Sequence, residues 1–262
     1  MSIPVLAFHH VSPCRELKLN VTPDVFESQM KYLHDRGYRT LAPGELVQYL
    51  RGGPDPGKKT VLITFDDGWQ DNCVFAYPVL QKYRLNASIF IITGLTEEAS
   101  DRPRGGAFTE RYARLSWEEI REMAGGGLIG VYSHTISHAS CKDMAEEGLK
   151  AELEGSKRAI EERLNAPCPY ICWPYGKSDD KAVEAARRAG YAAMFTMEAG
   201  VVRKGSDPFA ISRNRVSDNV FWFRLKMRIW TAPRMSGIYF RLRRRLTGLK
   251  RLVSLRPRPQ EL

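Results

Sequence analysis

Residues Thr60-Val61-Leu62-Ile63-Thr64-Phe65-Asp66-Asp67-Gly68 read TVLITFDDG. The first six predict a strand with no exposed face, the kind covered on both sides in a parallel sheet. Two carboxylates follow at its C-terminal end, the rim where parallel barrels gather their active sites. Side by side at the end of a buried strand they repel, and a cation or a shared proton relieves the repulsion. A solvated Asp-Asp-Gly turn explains the same letters, since Asp-Gly is a common turn pair.

Outward from this strand, helices and strands alternate. Val5–Phe8, Ala87–Thr93, Leu128–Tyr132, Ile171–Trp173, Tyr191–Thr196 and Phe209–Val216 read as strands. Thr22 and Pro23 open a helix that stops at Gly37, with Thr22 as N-cap. Pro43–Leu50, Phe75–Tyr83, Asp143–Leu164 and Asp180–Ala189 are helical, and Asp71 and Asn72 read as caps for the second of these. Ser116 and Glu119 form a capping box for another helix. Residues 94–114 read as a polar, Gly/Arg-rich loop. Buried strands joined by helical crossovers predict a parallel α/β sheet or barrel over residues 1–217.

His134 and His138 follow the strand that ends at Tyr132-Ser133. On a helical turn this spacing puts both imidazoles on one face, within reach of one ion. Two polar loop histidines are the plainer reading. With only five histidines in the chain, two at ligand spacing after a strand end weaken it. One carboxylate and two imidazoles make a three-ligand set suited to a catalytic divalent ion.

The chain has 262 residues, 43% hydrophobic and 10% aromatic, enough for a substantial core. This excludes a disordered chain and a disulfide-held miniprotein. The five cysteines are scattered and odd in number, so no oxidised framework is expected. Cys168 and Cys172 read as buried strand residues rather than a metal pair. The N-terminal MSIPVLAFHH lacks a basic segment and a long apolar run, and no apolar stretch reaches about 18 residues. The expected location is cytoplasmic, and the sequons at Asn20 and Asn86 read as chance matches.

Three motifs, Thr64-Phe65-Asp66-Asp67-Gly68, His134-Thr135-Ile136-Ser137-His138 and Trp173-Pro174-Tyr175-Gly176, in this order, resemble the polysaccharide deacetylases, the NodB-homology enzymes of carbohydrate esterase family 4. The resemblance implies a distorted (β/α) barrel of about seven strands and metal-dependent removal of an N-acetyl or similar acyl group from a sugar. It implies Asp66 as general base, Asp67, His134 and His138 as metal ligands, and the Tyr175 N–H as oxyanion donor. The implied cofactor is one divalent ion, zinc first, with cobalt, nickel or manganese as alternatives.

Two departures point to one branch. No histidine follows His138, so the C-terminal acid histidine of many members is absent. Instead Ala7-Phe8-His9-His10-Val11 resembles the N-terminal segment of the permuted poly-N-acetylglucosamine deacetylase branch, which implies His9 as general acid with His10 as fallback. A structural hydrogen bond from a first-strand histidine is the alternative. The third motif lacks the arginine that often pairs with the base. Arg213 is the candidate to orient Asp66, against a surface arginine on an edge strand. Trp173 is a candidate to stack on a sugar ring, against a core aromatic; Trp117 reads as packing.

The formal charge of +10 is not spread evenly. Residues 1–217 hold 28 basic and 28 acidic side chains, whereas residues 218–262 hold 12 and 2. Ile238, Leu242, Leu246, Leu249 and Val253 share one side of a helix within about 80° at 100° per residue, among arginines. Residues 218–262 therefore read as a basic amphipathic helical tail for an anionic membrane surface. A tail packed on the barrel would explain the apolar stripe but not the charge. A nucleic-acid arm needs no such stripe, so no nucleic acid is expected. The combined expectation is an N-deacetylase at the inner membrane face, acting on an N-acylated sugar or glycan, polyprenyl-linked by this logic. A catalytically inactive glycan- or membrane-binding module is the alternative.

Overall fold

The computed structural model describes residues 1–101 and 113–254, with side chains through residue 246. In chain order the elements are β1 (Val5–Phe8), β2 (His10–Val11), β3 (Asn20–Val21), α1 (Pro23–Asp35), β4 (Arg39–Thr40), α2 (Pro43–Leu50), β5 (Thr60–Phe65), α3 (Tyr77–Tyr83), β6 (Ala87–Ile91) and α4 (Thr93–Ser100). They continue with α5 (Trp117–Gly125), β7 (Ile129–Ser133), α6 (Glu146–Leu164), β8 (Tyr170–Cys172), α7 (Asp180–Arg188), β9 (Ala193–Phe195), β10 (Asn214–Arg215), α8 (Val220–Thr231) and α9 (Pro233–Ser254).

Seven strands pair in the order β10-β1-β5-β6-β7-β8-β9, all parallel, with β4 added beside β5. Every residue of TVLITF is buried, as the uncharged run predicts. The sheet curls into a distorted half-barrel. Ile211 bridges to Phe195 of β9, and Asn214 pairs with Leu6 of β1, so one short segment reaches both edges. The register sets the site. Phe8 pairs with Phe65, and the Asp66 N–H donates to the Phe8 carbonyl at 3.0 Å, which puts His9 and Asp66 on one rim. Ile91 pairs with Ser133, and the His134 N–H donates to the Ile91 carbonyl at 2.8 Å, bringing the histidine loop to the same rim.

Several local expectations are corrected. Thr22 does not cap α1 with its side chain; its N–H and Oγ1–H both donate to the Asp218 carboxylate, at 2.9 and 2.8 Å. Asp71 caps no helix either, because its carboxylate faces His10 and the Val11 N–H. Residues 93–100 are helical because Thr93, Thr96 and Ala99 bury one small-residue side, and the Thr93 and Gly94 N–H groups donate to the carbonyls of Thr135 and Ile136. The stretch 102–112 of the expected loop lies outside the described residues. Phe209–Val216 is not one strand. Pro208–Ala210 forms a single 3-10 turn, and only Asn214 and Arg215 pair with β1.

The helices of residues 218–254 pack on the body through one side. Phe223, Met227 and Trp230 of α8 are buried, with Phe223 edge-on to Tyr32 of α1. Phe240 of α9 stacks on Trp230, and Ser236 is buried against Ser2. Ile238, Leu242 and Leu246 remain exposed; the side chains of Leu249 and Val253 lie outside the described residues.

Candidate active site

The strand ends bring together six of the eight predicted side chains, His9, Asp66, Asp67, His134, His138 and Arg213, and the Tyr175 ring packs against His138. Asp66 and Arg213 are both buried. The guanidinium grips the carboxylate with both arms, Nη1 to Oδ1 at 2.6 Å and Nη2 to Oδ2 at 2.7 Å. Nε donates to the Thr196 carbonyl and Nη1 also to Thr64 Oγ1, so the fork itself is fixed. Burial is the largest influence on Asp66 and resists its charge; the Arg213 charge and hydrogen bonds outweigh it, and the carboxyl lies below its ordinary range. Arg213 is thus buried rather than a surface arginine on an edge strand.

Asp67 turns the other way. At φ +72° its backbone is left-handed, and Gly68 follows at φ +66° with its Cα so near Ile91 that a Cβ would stand 3.1 Å from Ile91 Cγ2. The turn thereby splits the two carboxylates, Asp66 to Arg213 and Asp67 to the histidines. His134 Nε2 and His138 Nε2 each lie 3.4 Å from Asp67 Oδ1. Burial again resists the Asp67 charge, and the neighbouring imidazoles overcome it, holding the carboxyl well below its usual range. Burial and the adjacent His134 push His138 down to about 4.

The two histidines do not converge on a helical turn. Residues 134–138 are a bent loop with Thr135 at φ +68° and His138 at φ +63°. Left-handed backbone costs on the order of 1–3 kcal/mol for such residues and persists only where the surroundings enforce it. Glu152 of α6 enforces it, accepting from the N–H groups of Ile136 and Ser137 at 2.7 and 3.0 Å and from Ser137 Oγ at 2.6 Å. His134 Nδ1 sits 2.7 Å from the Cys172 carbonyl, leaving Nε2 for the site.

Among the described residues, two sets of three donors lie within 4.8 Å of one another, Asp67–His134–His138 and Asp66–His134–Cys172. The second is taken up internally, since Arg213 holds both Asp66 oxygens and its Nη2 lies 2.8 Å from Cys172 Sγ. The first offers one carboxylate and two imidazoles, a donor set that fits a divalent ion with open positions.

His9 Nε2 lies 3.8 Å from Asp66 Oδ2, and burial lowers its basicity despite both aspartates. His10, the fallback acid, points away to Asp71, Nδ1 to Oδ2 at 2.6 Å. Tyr175 is the middle residue of the 3-10 turn Pro174–Gly176, at φ +58°, where an early N–H has no carbonyl behind it in the turn. Its ring packs edge-on to His138 at 4.6 Å. Trp173 is corrected: its side chain is fully buried in the core and presents no face to a sugar. Strand β8 ends at Cys172, and the alternation that turns Cys172 toward Arg213 turns Trp173 into the other layer.

Three supporting residues escape a reading of the sequence. Trp69 Nε1 donates to Asp67 Oδ2 at 3.1 Å. Arg114 lies over the Trp69 ring at 3.2 Å and donates to the Asp67 carbonyl at 2.7 Å. Glu152 pins the histidine loop. The only sequence signal is for Trp69, an aromatic two residues past Asp67; Arg114 and Glu152 arrive from far along the chain.

A curled parallel sheet with a split aspartate pair, a histidine pair and a buried arginine at its C-terminal rim defines an α/β fold of the NodB-homology type. The polysaccharide deacetylase family profile matches residues 53–194. YxkH of Bacillus subtilis, a protein assigned to the polysaccharide deacetylases, is 34% identical over 215 residues, 82% of this chain and 71% of its own length. The poly-beta-1,6-N-acetyl-D-glucosamine N-deacetylase of Staphylococcus aureus is 29% identical, over 80% of this chain and 72% of its own. Among solved structures, the Streptococcus pyogenes deacetylase PplD in complex with acetate superposes with a TM-score of 0.76 at 29% identity, covering 87% of this chain and 98% of that one. IcaB from Ammonifex degensii gives 0.75 at 28% identity, covering 88% and 97%. The chain belongs to the polysaccharide deacetylase family, and its relatives accord with the permuted branch.

Proposed function

We propose that this chain is a metal-dependent carbohydrate N-deacetylase that hydrolyses the N-acetyl group of an N-acetylated amino sugar within a glycan. The observation that carries this reading is the Asp67–His134–His138 donor set beside an Asp66 locked by Arg213. The S. aureus relative, which acts on poly-N-acetylglucosamine, suggests the sugar.

Asp67, His134 and His138 would hold one divalent ion, zinc by donor type, which supplies polarisation of the acyl carbonyl and acidification of a bound water. Asp66, kept ionised by Arg213, takes a proton from the attacking water. The Tyr175 N–H donates to the oxyanion as the water oxygen bonds to the acyl carbon. His9, 3.8 Å from Asp66, returns a proton to the sugar nitrogen as the C–N bond breaks, leaving a carboxylic acid and a free amine. Burial lowers the basicity of His9, and the proton it returns is the one that Asp66 took from the water.

The substrate we favour is polyprenyl-linked and met at the cytoplasmic face of a membrane, a reading supported by the charge carried in residues 218–262. The test is acetate release from N-acetylglucosamine oligosaccharides with added zinc or cobalt, beside an Asp66→Asn control. Release by the parent and loss in the control are expected. Equal release by both would refute the assigned base, and none from either would favour the inactive binding module. Equal turnover of a soluble sugar nucleotide and a lipid-linked sugar would refute the lipid-linked substrate.

A further inference from the structure

Among the described residues, seven of the ten exposed large apolar side chains lie between residues 221 and 246. On α9 they are Met235, Ile238, Leu242 and Leu246, each more than half exposed. At about 100° per residue these four span about 80° of the helix, and the body-facing Ser236 and Phe240 lie on the opposite side. The stripe is therefore not the face that packs on the barrel. Arg234, Arg241 and Arg245 border one edge of it by the same spacing. On α8, Phe221 and Trp222 are 69% and 52% exposed, while Phe223, Met227 and Trp230 do the packing.

The position of that aromatic pair matters. Asp218, just before α8, accepts from Thr22, which follows β3; β3 pairs with β2, and β2 begins one residue after His9. From there Phe221 and Trp222 lead α8 along α1, where Phe223 packs on Tyr32 near the end of that helix, and Ser236 of α9 packs on Ser2 ahead of β1, so both helices run toward the end of the body opposite the rim. An exposed apolar stripe bordered by arginines, with an exposed tryptophan, has the composition of a segment lying in a lipid interface. No described helix is long and apolar enough to cross a membrane. Charge complementarity selects the occupant. Residues 218–262 carry 12 basic and 2 acidic side chains beside a neutral body, which suits an anionic lipid surface.

We propose that the outward faces of α8 and α9 form a docking surface for an anionic bilayer, with Phe221 and Trp222 as its aromatic anchors. This deepens the membrane-linked reading above and is independent of the chemistry at Asp66. The full chain is mixed with vesicles of phosphatidylcholine alone or with phosphatidylglycerol, and the bound fraction is read by flotation. The parent should partition onto the anionic vesicles and release as salt rises. Trp222→Ser/Leu242→Ser should bind at least about tenfold more weakly, the loss of two interfacial side chains. Its acetate release from a soluble oligosaccharide should equal the parent's, which shows that the fold is kept and separates a docking failure from a catalytic one. Failure of the parent to prefer anionic vesicles would overturn the proposal. So would equal binding by the variant, self-association of the parent that the variant abolishes without vesicles, or retention by duplex DNA with no vesicle binding.

Discussion

Replacing Arg213 by methionine would strand the Asp66 carboxylate. Both residues are buried, and the guanidinium contacts both Asp66 oxygens, Thr64, Thr196, Cys172 and Met197. Breaking a buried ion pair from one side costs about 3–5 kcal/mol, because an uncompensated charge remains. For a chain of this length, about 2 °C of melting temperature per kcal/mol, the loss is about 6–10 °C at pH 7. The sign of the pH dependence follows from the same groups. In the parent, Asp66 lies below its unfolded value of about 3.9, so the pair stabilises above that pH and weakens only as pH falls through the lower folded value. In the variant, burial is opposed only by the smaller influence of His134 and His9 and should raise Asp66 above its unfolded value. The penalty is then full at pH 7 and fades as pH falls through the raised value. Thermal melts of parent and Arg213→Met between pH 7 and pH 4 should converge toward the acid end. Asp66→Asn in the Arg213→Met background should recover part of the lost stability at pH 7. An Arg213→Met melting temperature within about 2 °C of the parent at pH 7, or a double variant no more stable than the single one, would refute the reasoning.

Four further expectations concern the rim and its surroundings. Asp67→Asn and His134→Gln should each reduce bound zinc to near background by elemental analysis, since each removes one of three donors. Trp69→Phe keeps the ring between Arg114 and His10 but deletes the hydrogen bond to Asp67, and should weaken zinc binding by about 10–100-fold in a chelator competition. His9→Gln should lower kcat by about 10²–10⁴-fold with metal content unchanged. His10→Gln should instead lower the melting temperature, because Asp71, already raised by burial, loses its buried partner.

The fold class was legible in the chain because a strand buried on both faces must be uncharged throughout, and TVLITF, VLAF and ASIFI are. The polar rim was legible for a related reason. Charges at the end of such a strand, and two histidines after another, have no structural use that the sequence supplies. The basic, apolar composition of residues 218–262 was equally plain. What a strand end faces was not. Trp173 looks like a sugar platform in the sequence and is core in the structure, because the pleat of β8 sends Cys172 to Arg213 and its neighbour inward. His10 and Asp71 look like a spare acid and a helix cap and are partners, 61 residues apart. Arg213, Arg114 and Glu152 act on groups that only the curled sheet brings near. Sequence patterns report which side of an element is wet or dry, because hydrophobic burial acts on each element locally. Pairing between distant polar groups depends on register and curvature, and those exist only once all seven strands are in place.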